Sequence, residues 1–144
     1  MDEPPVGPHE RGEILDLLGR YFWAVDIGDA SAVVAAFSPD GVVRYGTGER
    51  YEGEAGLRKF AQRVIGDASV RGRMHLNHPL FFRRKGECVA LRSYMMPVQL
   101  RPDAPQETIR SLRHTEDTFV KTEAGWRIKE RAIFVWDQAS RADA

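Results

Sequence analysis

Between Glu13 and Val25 the apolar residues Ile14, Leu17, Leu18, Tyr21, Phe22 and Val25 recur at intervals of three and four, the stripe of a helix with one buried face. Gly28 ends it, and Asp29 is placed to cap a short second helix over Ala30 to Phe37. Ser38-Pro39-Asp40-Gly41 is turn chemistry that stops this helix, and Val42 to Tyr45 reads as a strand. After a glycine-containing turn and an extended piece at Tyr51, Leu57, Phe60, Ala61, Val64 and Ile65 give a third helix over Glu54 to Ile65. The second half changes period. Arg73 to Arg84, Cys88 to Leu100, Glu107 to Lys121 and Trp126 to Trp136 are rich in β-branched and aromatic residues. Turns at Lys85-Gly86, Arg101 to Pro105 and Glu123-Ala124-Gly125 separate them. The pattern predicts an α+β domain in which three helices cover one face of a long antiparallel meander.

Composition narrows the class of partner. A chain of 144 residues is the size of one domain. Residues 1–8 hold three prolines and few apolar side chains and are expected to be a flexible tail. The domain is expected over 9–138, with a second tail at 139–144. Lys plus Arg (21) equals Asp plus Glu (21), and no long basic stripe appears, so a nucleic-acid partner is excluded. The longest apolar run, Ala32 to Phe37, is too short to span a bilayer, which argues against a membrane partner. A single cysteine, Cys88, rules out an intramolecular disulfide, and the N-terminus has no basic segment followed by an apolar one. Both fit a cytoplasmic protein.

Sequences that bind metal or phosphate are missing. There is no HxH, HxxxH or cysteine cluster, no GxGxxG or GxxxxGK[ST] loop and no GxSxG elbow, so a site free of metal and cofactor is expected. On the first helix Tyr21 and Asp26 are five positions apart, about 140° around the axis, so the two do not share a face. Strand alternation places Arg113, Thr115 and Asp117 on one face and His114 and Glu116 on the other, an assignment that a bulge would reverse. Alternation also sends Asn77 to the side of His75 and His78, beside Pro79, to the surface or the strand edge.

The order of elements resembles the nuclear transport factor 2-like superfamily, a cone-shaped α+β fold, and its SnoaL-like branch in particular. Four stretches carry the likeness, which covers about residues 10 to 137. Tyr21-Phe22-Trp23-Ala24-Val25-Asp26-Ile27-Gly28-Asp29 looks like the end of the family's first helix, where a catalytic Asp precedes a small turn and a second Asp. Pro39 to Tyr45 resembles the strand that carries a substrate-binding tyrosine in scytalone dehydratase, at the place of Tyr45. Arg73-Met74-His75 resembles the strand supplying the catalytic His in that enzyme, in hexachlorocyclohexane dehydrochlorinase and in bile acid 7α-dehydratase. Gly125-Trp126-Arg127-Ile128 through Arg131 looks like the last hairpin of SnoaL-like proteins, with Arg131 where the dehydrochlorinase has a functional Arg.

The resemblance implies an Asp26–His75 pair, with His75 as acid or base and Asp26 holding its tautomer and stabilising the imidazolium. It also implies substrate-binding roles for Tyr45 and Arg131. Tyr21 matches by spacing the tyrosine of the bile acid dehydratase. Asp117, aligned on Gly125-Trp126, falls where ketosteroid isomerase keeps a protonated Asp as oxyanion donor, so the likeness implies a substrate-binding Asp117 and makes the face carrying Arg113, Thr115 and Asp117 the expected pocket face. The implied function is a cofactor-independent dehydratase, lyase or isomerase acting on a small hydrophobic cyclic or polyketide-like substrate, in a homodimer or homotrimer. The alternatives are a polyketide cyclase or epoxide hydrolase of the same fold, or a non-catalytic β subunit of a ring-hydroxylating dioxygenase or ligand-binding module. One departure stands out: scytalone dehydratase has a second catalytic His just after a proline, whereas here Pro97 is followed by Val98.

Overall fold

The computed structural model describes residues 3–66, 72–101, 104–109 and 111–137. Helix α1 spans Pro8–Ile27, with proline at its first position, where its missing N–H costs nothing. The Glu10 carboxylate accepts the Gly7 N–H at 3.0 Å and also takes Arg84 at 2.7 Å, so the start of the helix is fixed to the sheet. Gly28 closes α1 in the left-handed conformation (φ 84°). Helix α2 (Ala30–Ala35) begins with the Asp29 side chain accepting the Ala32 N–H at 3.0 Å. Strands β1 (Phe37–Tyr45) and β2 (Arg50–Glu52) precede helix α3 (Gly53–Ile65). Strands β3 (Arg73–Lys85), β4 (Cys88–Arg101), β5 (Ala104–Ile109), β6 (Arg113–Thr122) and β7 (Gly125–Val135) complete the chain.

The sheet runs in the order β2-β1-β7-β6-β4-β3, with β5 also paired to β4. Helices α1 and α3 bury Ile14, Leu18, Tyr21, Phe22, Leu57 and Phe60 against Val43, Leu91, Phe119, Ile128 and Ile133 of its inner face. Each such side chain contributes roughly 1.5–3 kcal/mol by leaving water. Three helices on one face of a curved, mostly antiparallel sheet are the architecture expected from the sequence.

Four details differ from that expectation, each for a non-local reason. Val6, placed in a tail by composition, is buried in the core, and its carbonyl accepts the Arg11 Nε at 2.9 Å. Phe37 belongs to β1 rather than α2, pairing with Ile128, and Ser38 to Gly41 form a bulge inside the strand before pairing resumes at Val42 with Glu130. The β1–β7 pairing is parallel, because the whole α3 and meander segment intervenes between these two strands. Finally, the run read as one strand over 107–121 is two, β5 and β6. The break faces Met96 and Pro97 on β4, where pairing stops between Met95–Arg113 and Val98–Ile109. Proline has no N–H to offer a neighbouring strand. The C-terminal tail at 139–144 lies outside the described residues, and among those described no helix is long and apolar enough to cross a membrane.

Candidate functional site

Between the helices and the inner face of the sheet lies a cavity of about 280 Å³. Tyr21, Phe22 and Val25 reach it from α1, Phe60, Arg63 and Val64 from α3, and Tyr45 from β1. The sheet adds Arg73 and His75 from β3, Met95 and Pro97 from β4, Arg113 from β6, and Arg131 and Ile133 from β7.

The C-terminal end of α1 lies against the start of β3, and there Asp26 meets His75. Asp26 Oδ1 lies 2.7 Å from His75 Nδ1, while its other oxygen accepts the His75 backbone N–H at 3.2 Å. Two contacts to one residue fix both the strand and the ring. The side chains are 17% and 14% exposed respectively, so the pair is shielded but reachable. A ring that donates its Nδ1–H to the carboxylate carries its lone pair on Nε2, and the His75 ring lines the cavity. Phe22 stacks on the imidazole, with centroids 5.9 Å apart and planes at 24°.

The predicted angular separation on α1 is seen in the result. Tyr21 lines the cavity, whereas Asp26 stands behind His75 and is absent from the cavity wall. Burial pushes the Tyr21 phenol well above its ordinary pKa against the pull of Arg131. Tyr45 is pushed up in the same way, with Arg63, Arg113 and Arg131 opposing. Both phenols are therefore donors at neutral pH.

Asp117 requires a correction. Alternation puts it on the inner face as expected, without a reversing bulge, but its carboxylate does not line the cavity. Arg131 Nη1 reaches both of its oxygens at 2.7 Å, and the Thr115 hydroxyl donates at 3.4 Å. Asp117 and Arg131 are 0% and 1% exposed. Burial raises the Asp117 pKa while Arg131 opposes the rise, and the carboxyl serves as the acceptor of an ion pair, not as a proton donor to substrate. Arg131 itself reaches the cavity. Its guanidinium lies 5.1 Å from the Tyr21 ring centroid and 4.9 Å from that of Phe22, with Nη2 3.2 Å from Met95 Sδ.

His114 lies on the opposite face, stacked on Phe134 at 5.0 Å and next to Arg92. His78 is exposed on the edge strand β3, and Asn77 lies on the His75 side outside the cavity wall. Val98, the residue after Pro97, pairs with Met74, while Pro97 pairs with His75. Alternation therefore leaves a single imidazole at the site and a proline beside it. Among the described residues no group of three His, Cys, Asp or Glu side chains is arranged to hold a metal ion.

The reading of the sequence put Arg113 on the pocket face with Thr115 and Asp117, and Arg113 does line the cavity, but it missed two other cavity arginines. Arg73 is two residues from His75 on the same strand face, and Arg63 follows Phe60 by three on α3. Spacing could have placed each of them. Nothing in the sequence distinguished them from solvated arginines.

Comparison with known structures agrees with this fold. The chain superposes on an NTF2-like protein with a cystatin-like fold from Novosphingobium aromaticivorans, with TM-score 0.78 and 23% identity over 93% of this chain and 88% of that one. A candidate scytalone dehydratase from the same organism gives TM-score 0.75 and 19% identity over 90% and 85%. ActVI-ORFA from Streptomyces coelicolor gives 0.78 and 17% over 88% and 95%. At these identities the likeness establishes the fold alone. No curated protein sequence matches the chain significantly. The model of the SnoaL-like domain matches residues 9–132, nearly the whole of the folded part, and the chain belongs to the SnoaL-like family.

Proposed function

We propose that this protein is a cofactor-independent acid–base enzyme, a dehydratase-type lyase or an isomerase, acting on a small cyclic or polyketide-like carbonyl compound. The observation that carries the reading is the 2.7 Å contact between Asp26 Oδ1 and His75 Nδ1 at the wall of a cavity lined by both apolar and polar side chains. A structural histidine would be served by one partner. Here a carboxylate fixes both the ring and its backbone, and the residue so held lines the cavity where a substrate would sit.

In this mechanism His75 Nε2 removes the proton from the carbon α to the carbonyl. The electron pair of that C–H bond moves to the carbonyl oxygen, which accepts a hydrogen bond from Tyr45 or Tyr21. Asp26 stabilises the imidazolium, as a carboxylate does in other His-based acid–base sites. In a dehydratase the electrons return, the β C–O bond breaks, and the imidazolium proton leaves with the hydroxyl as water. In an isomerase the same proton is returned to a different carbon. One imidazole suffices for either sequence, which suits a chain with Val98 where a second histidine would otherwise be sought. The candidate scytalone dehydratase among the structural neighbours supports the first outcome.

The test is deuterium incorporation α to the carbonyl, followed by NMR, across a panel of cyclic β-hydroxyketones. Wild-type protein should exchange or dehydrate at least one of them. His75→Ala and Asp26→Asn should each abolish turnover while circular dichroism stays unchanged. Full activity in either folded variant sinks the reading.

A further inference from the structure

The cavity carries more positive charge than its own carboxylates neutralise. Of its described lining residues four are arginines and none is Asp or Glu. Two of the arginines have acidic partners behind the wall. Arg131 is held by Asp117, and Arg63 is bonded to Glu49 and, at 2.7 Å, to the Tyr51 hydroxyl. Arg113 has none: its Nε donates to Ser111 Oγ at 2.8 Å, and among the described residues no carboxylate lies within ion-pair distance. Burial pushes its pKa down, and the nearby Arg63 and Arg131 push in the same direction. A half-buried guanidinium among other cations destabilises the empty protein, and an arriving anion removes that cost.

Position adds direction to this charge. Tyr45, Arg63, Arg113 and Ile133 are shared between the cavity and an adjoining outer groove of about 410 Å³. Val25, Val64, Arg73 and His75 are shared with a different space of about 250 Å³ that includes Asp26. The acid–base pair and Arg113 therefore stand at separate ends, with Phe22, Phe60 and Met95 among the apolar residues of the wall. The two Arg113 Nη groups, for which no partner is seen among the described residues, form a planar fork suited to two carboxylate oxygens.

We propose that the substrate is a monoanion, a small ring bearing a carboxylate, and that Arg113 receives the carboxylate at the cavity mouth while the ring extends toward His75. This assignment concerns the same cavity as the proposed acid–base chemistry and rests on that reading only for the orientation of the ring. At the mouth, Arg113 is the guanidinium for which no carboxylate is in reach among the described residues, and a single negative charge matches it, which favours a carboxylate over a phosphate dianion. Arg63, beside Tyr45 at 5.2 Å from its ring centroid, strengthens the field at the mouth without losing its own partner.

The experiment compares cyclohexanecarboxylate with cyclohexanecarboxamide, and benzoate with phenyl phosphate, by ligand-observed NMR titration at low and high salt. The carboxylate should bind at least about tenfold tighter than its amide, with the advantage shrinking at high salt. Arg113→Met should abolish that preference while leaving amide binding unchanged, and Arg113→Lys should restore part of it. His75→Ala and Asp26→Asn should keep the preference, so loss of catalysis and loss of anion recognition are read separately. Equal binding of acid and amide, tighter binding of phenyl phosphate than benzoate, an unaltered preference in Arg113→Met, or no carboxylate binding at millimolar concentration would overturn the proposal.

Discussion

Replacing Asp117 with asparagine removes one charge and almost no volume, so it isolates the value of the ion pair under the cavity floor. The two side chains are 0% and 1% exposed, and Arg131 Nη1 lies 2.7 Å from both carboxylate oxygens. Removing one partner from a buried pair typically costs about 3–5 kcal/mol, because the remaining charge stays buried and uncompensated. Two features pull the estimate to the lower end. Asparagine still offers one acceptor, and the Tyr21 and Phe22 rings at 5.1 and 4.9 Å from the guanidinium carbon remain as weaker partners for the cation. A loss of about 3 kcal/mol is expected, out of a total of roughly 7–20 kcal/mol for a chain of this length. In urea unfolding at neutral pH, with a slope near 2 kcal/mol per molar, the midpoint should fall by about 1.5 M at unchanged slope. A fall under about 0.5 M would mean that water reaches the guanidinium, refuting the buried pair. The double variant Asp117→Leu with Arg131→Met should recover most of the loss, since it removes both charges while filling the volume.

Further outcomes follow from other parts of the molecule. Gly28→Ala forces a side chain onto a residue at φ 84°, with the new Cβ 3.3 Å from Ile65 Cγ2; it should cost about 1 kcal/mol in thermal unfolding and also weaken activity, because Asp26 is two residues away. Glu116 accepts from Arg83, Lys85 and Arg92 at 2.7–2.8 Å, and against the upward push of burial these cations hold its carboxyl below the ordinary range. Its stabilising effect is present above the unfolded-state pKa and lost as pH falls through the folded one, so Glu116→Gln should destabilise at neutral pH and match wild type in acid, as denaturant titrations at both would show. Burial and then Arg92 hold the His114 imidazole below its ordinary range. The unfolded chain therefore takes up this proton first, and stability falls as pH drops below the unfolded-state value; His114→Gln should flatten that slope, and identical slopes would contradict the assignment.

Much of the architecture was legible because it is written in short-range patterns. The α1 stripe, the Asp29 cap, the Gly28 stop and the two-residue turns at Lys85–Cys88 and Thr122–Gly125 are local signals, and each element they predict is present. What was misplaced depends on distant strands. Ser38 to Gly41 has the chemistry of a turn, yet it returns the chain to the same strand because Ile128 and Glu130 of β7 hold both flanks. The break between β5 and β6 is set by Pro97 on the neighbouring strand, so no feature within 107–121 announces it. The same distinction separates the site residues. Asp26 and His75 were found through motifs that resemble a family, and alternation placed Asp117 on the correct face. Which inward charge lines the cavity and which is covered by another is decided by packing, and it is there that Arg131 takes the cavity position and Asp117 the place behind it.

This division of places links the ion pair to the chemistry. Arg131 lies against the Phe22 ring, and Phe22 stacks on His75 at 5.9 Å. The imidazole is thus held on one side by the Asp26 carboxylate and on another by an aromatic ring whose own support is a buried guanidinium. Asp117 has no route to the substrate, but it keeps Arg131 in place and through it the face against which His75 is oriented. In the proposed role of general base, His75 would be sensitive to small displacements, since a misplacement of about 1 Å can cost on the order of 10²-fold in rate. In Asp117→Asn, turnover should consequently fall more than the folded fraction, whereas binding of a carboxylate at Arg113, at the other end of the cavity, should persist. A substitution that alters the Asp26–His75 end should show the same separation. On the proposed reading, catalysis and anion recognition belong to different ends of one cavity, joined by the substrate and by the stacked rings along its wall.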